Sequence, residues 1–304
     1  MQNAAIRRLG LRCIYLKFAV PPSMLSRALD RAESLGFRGV NLTVPHKEAA
    51  LPLMDLLTPA ARRVGAVNTV TFMGAGRREG HTTDGEGFLR ATREDLGFTP
   101  RGRKVVVLGA GGAARSVCFA LADAGARNIV LVNRTPARAA RLARALVAEA
   151  RIPSSAFRLS GRTPWKRLLE GAALLVNATV LGLHGEDSPV PARFLLRPMA
   201  VSDLVYNPPV TGLVVAARSR GLRAANGTGM LAGQGALSLE RWTGRRAPLA
   251  EMRCALLAAL ARRDGGQRDP SGTDRTLPGS RPTAYPGRTR PRQAPAWRAY
   301  PGRI

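Results

Sequence analysis

The segment KVVVLGAGGAARSV (104–117) carries the densest chemical signal in the 304-residue chain. Gly109, Gly111 and Ala114 fit the spacing G-x-G-x-x-[GA], set between an apolar strand-like run and a helix-like one. Gly109 permits a tight turn, Gly111 lets a pyrophosphate approach the backbone, and Ala114 lets the helix pack close to the strand. The helix N-terminus favours a negative group. Gly109, Ala110, Gly111, Gly112, Ala113 and Ala114 are therefore candidate dinucleotide-binding residues; the alternative is a glycine-rich turn that holds no ligand. NAD-specific sites usually end the next strand with a carboxylate for the ribose 2′-hydroxyl. Here NIVLV ends in Asn133, followed by Arg134, Thr135 and, one helical turn on, Arg138. Two guanidiniums and a hydroxyl suit a 2′-phosphate, because arginine binds phosphate through forked, charge-assisted hydrogen bonds. The cofactor expected is NADP. The competing reading is that Arg134 and Arg138 are ordinary surface residues in an arginine-rich chain.

Three further residues invite a chemical role. In NLTVPHK (41–47) a strand gives way to a helix at Pro45, which puts Lys47 in a first helical turn. The helix dipole disfavours a cation there. GAVNTV (65–70) and HTTDGEGF (81–88) put Asn68 and Asp84 at loop or strand ends. Taken singly, both are common turn residues, and Asp84 could simply cap the following helix. His46 reads as a helix-start residue, and His81 and His184 fit no catalytic pattern. Cys13, Cys118 and Cys254 are odd in number and match no zinc spacing, so no metal is expected. The same cysteine usage, without a signal peptide in MQNAAIRRLG, points to a reducing, cytoplasmic setting.

The elements that must position these residues alternate along the chain. Strand candidates are CIYLKFAV (13–20), GVNLTV (39–44), AVNTVTF (66–72), KVVVLG (104–109), NIVLVN (128–133), ALLVNAT (173–179) and SDLVYN (202–207). Amphipathic helix-like runs lie between them, among them SMLSRALDRAESLG, DGEGFLRATREDLG, AARSVCFALADAG and TPARAARLARALVAEA. Strand and helix in alternation predict an α/β fold with parallel-type sheets covered by helices. The restart at KVVVLG suggests a second unit and a cleft between the two where ligands bind. Residues 1–84 with 228–263 form the expected substrate domain, and 85–227 the Rossmann-like cofactor domain. Residues 264–304 hold seven Pro, six Gly and eight Arg, and read as a disordered tail.

Hydrophobic residues at 45% supply a core, and no apolar run is long enough to span a bilayer. The formal net charge is +27, from 47 Lys and Arg against 20 Asp and Glu. Such a surplus suggests nucleic acid. The basic residues are scattered, however, aromatics are only 5%, and no nucleic-acid motif is present, so compositional bias is the preferred account.

Taken together, NLTVPHK, GAVNT, TDGEGF, GAGGAARS, NRT, NATVLG, DLVYNPPVT and GMLAGQGALSLERWTG resemble the shikimate dehydrogenase family. They stand in family order across residues 3–244. The resemblance implies reversible hydride transfer between NADPH and the carbonyl of 3-dehydroshikimate, on the route to chorismate and the aromatic amino acids. It implies Lys47 as proton donor and Asp84 as its orienting carboxylate. Thr43, Asn68, Asp84 and Gln234 would bind substrate hydroxyls, and Tyr206 the substrate carboxylate. Thr179, Leu204, Gly227 and Met230 would flank the nicotinamide. Partners beyond the small-molecule substrate are expected to be at most a second copy of the chain. Two departures stand out. The asparagine usual two residues before the family's aspartate is Thr82. The family's opening strand and serine-bearing loop also have no counterpart, which implies an exposed sheet edge and a weaker hold on the substrate carboxylate. A truncated, inactive or repurposed NADP-binding relative, or a dehydrogenase accepting quinate as well, are the alternatives this leaves open.

Overall fold

The structure is a computed structural model, and it describes residues 1–265. In chain order the elements are α1 (Gln2–Arg8), α2 (Leu25–Ser34), β1 (Gly39–Asn41), α3 (His46–Ala49), β2 (Leu56–Leu57), α4 (Pro59–Val64), β3 (Thr69–Phe72), β4 (Arg78–His81) and α5 (Asp84–Leu96). Then follow β5 (Lys104–Leu108), α6 (Gly112–Asp123), β6 (Asn128–Asn133), α7 (Pro136–Ala150), β7 (Ser154–Arg158), α8 (Trp165–Leu169), β8 (Ala172–Asn177), β9 (Ala200–Asp203), α9 (Gly212–Ser219), β10 (Ala224–Ala225), α10 (Thr228–Thr243) and α11 (Leu249–Gly265). The tail expected at 264–304 lies outside the described residues, except for Asp264 and Gly265, which close α11.

Six strands form a wholly parallel sheet in the order β10-β9-β8-β5-β6-β7. Central strand β5 is apolar on both faces because helices cover both. Val105 and Val107 join the core under α6 and α7, while Val106 and Leu108 join the core on the other face. The chain leaves β5 toward β6 and β7, then returns to place β8 on the opposite side of β5. Strand order therefore reverses between β5 and β8, and in such sheets ligands bind beyond the carboxyl ends of the strands at that point.

The smaller sheet has the order β1-β3-β4-β2. Parallel pairing there is confined to β2 and β4; β3 runs antiparallel to β1 and to β4. Hairpin connection explains this, since β3 and β4 are joined by a five-residue turn that reverses the chain. Residues 13–20, expected as a strand, form no ladder. They run extended over the surface, with Ile14, Leu16 and Phe18 exposed. Edge strand β1 is near enough for the Tyr15 hydroxyl to donate to Asn41 Oδ1 at 3.2 Å, but no backbone ladder forms between them. They are tied down instead by Asn3, whose side chain exchanges two hydrogen bonds with the Tyr15 backbone, and by stacking of Tyr15 on Trp242.

The lobes meet through α5 and α10. A side chain at Gly87 would lie 2.6 Å from the backbone nitrogen of Gln234, so glycine is needed for the approach of these helices. That approach is what brings α10 over the start of α5.

Candidate active site

Lys47, Asn68, Asp84 and Gln234 come from α3, the entry to β3, the first residue of α5 and the second turn of α10, and the structure brings all four together. Lys47 Nζ donates to Asp84 Oδ2 at 2.6 Å. The pair is recessed, with side-chain exposures of 17% and 5%. Asn68 Nδ2 lies 3.0 Å from Asp84 Oδ1, 3.1 Å from Gln234 Oε1 and 2.9 Å from Thr83 Oγ1. Asn68 Oδ1 accepts from the Thr83 backbone at 2.8 Å. The carboxylate is thus gripped on both oxygens by side chains. It is no cap: Thr83 is the N-cap of α5 and makes no capping hydrogen bond. Negative charge in a helix's first turn also complements the dipole. A hydroxyl layer lies beneath, in which Thr69, Thr83 and Ser238 sit within 3.5 Å of one another. Asn41 reaches Ser238 at 2.8 Å. Thr82, in the place of the family's asparagine, is buried and faces Ser116 at 3.5 Å.

Thr43 and Tyr206 stand apart from this cluster. Both are exposed, and among the described residues neither side chain makes a hydrogen bond. His46 begins α3, its Nε2 lying 2.9 Å from the Val20 carbonyl. His81 is largely buried in the smaller sheet, and His184 lies in a loop.

The glycine turn sits at the switch point. Gly109 has φ +109°, and a side chain there would fall 2.8 Å from the Ala178 carbonyl, so only glycine fits. Above Gly111 the space is open, with no protein atom within 4 Å of where a side chain would stand; at Gly112 only Glu48 comes that near. α6 begins at Gly112, leaving its first backbone N–H groups directed into that space. Ala110 and Ala113 are half-buried and Ala114 is fully buried. Asn133 Nδ2 donates to the Thr135 carbonyl at 2.9 Å and fixes the loop. Arg134, Thr135 and Arg138 are all exposed. These residues fit an NADP molecule: a cradle clear of side chains for the pyrophosphate, and free cations beside the end of β6.

At the other end, Thr179 Oγ1 donates to Asn177 Oδ1 at 2.6 Å. Gly227 N donates to the Val205 carbonyl at 2.9 Å, packing Gly227 against Leu204. Met230 packs partly buried against the core under α6. Behind them lies a feature absent from the sequence reading, the fully buried Asp203. It accepts from Asn177 Nδ2 at 2.9 Å, Val205 N at 3.0 Å and Thr211 Oγ1 at 2.6 Å. Burial pushes its carboxyl above the usual range, against the pull of those hydrogen bonds. An acid inside the apolar run SDLV, level with an asparagine ending the neighbouring strand, was the available signal.

The fold and site define a two-lobed oxidoreductase of the dinucleotide-binding class, with a lysine–carboxylate pair beside the cofactor turn. Comparison with known proteins narrows this. Three family models match: the shikimate dehydrogenase substrate binding domain over residues 1–70, shikimate / quinate 5-dehydrogenase over 93–158, and the shikimate 5'-dehydrogenase C-terminal domain over 227–257. The NADP(+) shikimate dehydrogenase of Methanopyrus kandleri is 49% identical over 263 residues, 86% of this chain and 90% of that protein. That of Moorella thermoacetica is 46% identical over 88% of this chain and 90% of its own length. The Thermus thermophilus enzyme, solved with NADP(H) and shikimate, is 40% identical with a TM-score of 0.75, covering 85% of this chain and 92% of that one. The chain belongs to the shikimate dehydrogenase family.

Proposed function

We propose that the chain catalyses reversible, NADP-dependent interconversion of shikimate and 3-dehydroshikimate, in the cleft between Lys47–Asp84 and the turn at Gly109–Gly112. The observation that carries this reading is the 2.6 Å Lys47–Asp84 contact, joined through Asn68 to Gln234. NADPH, when bound, supplies the hydride that adds to the C3 carbonyl carbon. The oxygen of that carbonyl then gains negative charge, and Lys47 supplies it a proton from its ammonium group, with solvent restoring the proton afterwards. In the reverse direction the Lys47 amine takes the hydroxyl proton. Asp84 holds Lys47 in place. Asn68, Gln234 and Thr43 offer amide and hydroxyl groups to the substrate hydroxyls, and Tyr206 reaches the carboxylate. Arg134, Thr135 and Arg138 hold the 2′-phosphate, with Asn133 shaping their loop. Thr179, Leu204, Gly227 and Met230 line the nicotinamide end. With the division at residues 84/85 and 227/228, proton transfer falls to one lobe and cofactor binding, apart from Met230, to the other.

Among the described residues no helix is long and apolar enough to cross a membrane, and no group of His, Cys, Asp or Glu is arranged to hold a metal. We read the chain as a cytoplasmic enzyme, monomeric or dimeric, with a small-molecule substrate and no nucleic-acid partner. The test is direct. Purified full-length chain mixed with shikimate and NADP⁺ should build up NADPH absorbance in proportion to enzyme. No shikimate-dependent NADPH formation by folded protein would overturn the proposal.

A further inference from the structure

The register of β6 and β7 sets Asn133 opposite Arg158 at the carboxyl ends of both strands. Asn133 stands where NAD-specific folds carry their ribose-binding acid. Register partners on neighbouring strands project from the same face of a sheet, on strands about 4.8 Å apart. The packing below shows which face that is. Leu131 and Ala156 are partners and pack in the core under α6 and α7, whereas Val132 and Phe157 pack in the opposite core. Arg158, two residues after Ala156, therefore projects on the α7 side. The first turn of α7 carries Arg138, and the loop before it carries Arg134. Two hydrogen bonds fix the backbone: Leu159 N donates to Asn133 O at 3.0 Å, and Thr163 Oγ1 donates to Arg158 O at 3.0 Å.

Arg158 is exposed, as are Arg134 and Arg138. Seven arginines among the described residues, Arg63, Arg78, Arg241 and Arg253 among them, pair with carboxylates, and the others do not. Arg134, Arg138 and Arg158 are among those that form no ion pair. Arg134, Arg138 and Arg158 thus all stand on the α7 side of the sheet, near the carboxyl ends of β6 and β7.

We propose that Arg158 is a third cationic ligand of the cofactor's 2′-phosphate, and so a determinant of the choice of NADP over NAD. The inference rests on the reading of Arg134 and Arg138 given above. A phosphate monoester carries nearly two negative charges at neutral pH and three acceptor oxygens, more than two arginines on one flank can satisfy. Arg158 stands on the same face of the sheet, on the neighbouring edge strand β7. It acts on binding, not on hydride or proton transfer.

The experiment is calorimetric titration of the full chain with NADP⁺, NAD⁺ and adenosine 2′,5′-bisphosphate, for wild type, Arg158→Ala, Arg158→Lys and Arg134→Ala. Loss of one charge-assisted contact should weaken NADP⁺ and the bisphosphate about tenfold in Arg158→Ala. Binding of NAD⁺ should stay within about twofold, because it lacks the phosphate that the contact engages. Arg158→Lys should fall between wild type and Arg158→Ala. Two results would overturn the assignment while leaving the Arg134 site intact: unchanged NADP⁺ affinity in Arg158→Ala where Arg134→Ala is weakened, or equal loss for NADP⁺ and NAD⁺. If neither Arg158→Ala nor Arg134→Ala affects NADP⁺ binding, the whole loop is misread and the proposal falls with it.

Discussion

The two ends of the cleft are built in opposite ways. Around Lys47 the four clustered residues partner one another: Asp84 on Lys47, Asn68 on Asp84 and Gln234, with hydroxyls beneath. At the end of β6 the arginines have no such partners, and they stand in solvent. The difference follows from what each end must do. A proton-transfer group has to hold its geometry through the reaction, and a recessed, internally bonded cluster loses little by reorganising. A site for a doubly charged phosphate needs cations whose hydrogen-bonding capacity is still unspent, and exposure keeps them hydrated until the phosphate arrives. The contact between lobes shares the first character. Arg115 of α6 donates to the Val64 and Arg63 carbonyls at the end of α4, while Arg63 pairs with Asp123 at 2.6 Å.

Substitutions should separate these regions. The largest effect is expected at Lys47: Lys47→Ala should lower kcat by about 10², the usual scale for a lost general acid, measured by steady-state shikimate oxidation. Next comes the Asp203 network, which belongs to the closed class although it lies in the cofactor lobe. Asp203→Ala strips the acceptor from buried Val205 N and Thr211 Oγ1, at about 1–3 kcal/mol for each. Thermal unfolding should show a Tm lower by several degrees. Asp203→Asn, which keeps one acceptor oxygen for Asn177 and Val205, should lose less. Smaller again is Arg134→Ala, which should reduce a preference for NADP over NAD of about tenfold, worth about 1.4 kcal/mol.

The smallest effect is a pH dependence confined to the closed region. Burial and the nearby Arg241 bring His81 down from 6.5 to about 4. The Thr58 hydroxyl, 2.8 Å from His81 Nδ1 and already accepting from Ala61 N, is placed to donate to the neutral ring. The folded state therefore disfavours the protonated ring that the unfolded chain acquires below pH 6.5. The stability this confers is complete above 6.5 and is lost as the pH falls toward 4. Unfolding curves across that window should be flatter in His81→Asn than in wild type; identical slopes would remove His81 from the acid response.

The sequence made these regions unequally legible. β5, α6, β6 and α7 were readable because each has a strong apolar period and glycines at the required turn, and the structure follows those bounds within a residue or so. β4 was not, since REGH has no apolar alternation; its place is set by antiparallel pairing with β3 and by Gly80, where a side chain would strike Met54, Val67 and Leu57. CIYLKFAV had the composition of a strand, but a ladder needs a backbone partner, which composition cannot supply. In the site, motifs marked Lys47, Asp84, Asn68 and Gln234, yet Asp203 and Arg158 were placed only by strand register. Register depends on tertiary pairing; Asp203 carried the local signal of an acid inside an apolar run, whereas Arg158 carried none.

On the proposed function, chemistry and cofactor selection reside at separate ends of one cleft. Steady-state kinetics of Lys47→Ala and Arg134→Ala, run side by side with shikimate and NADP⁺ and joined to NADP⁺ titrations, test this separation most directly. Lys47→Ala should lose kcat with NADP⁺ affinity unchanged, while Arg134→Ala should keep kcat at saturating NADP⁺ and raise its KM. The separation would be contradicted if both variants moved the same parameter, or if Lys47→Ala turned over at the wild-type rate.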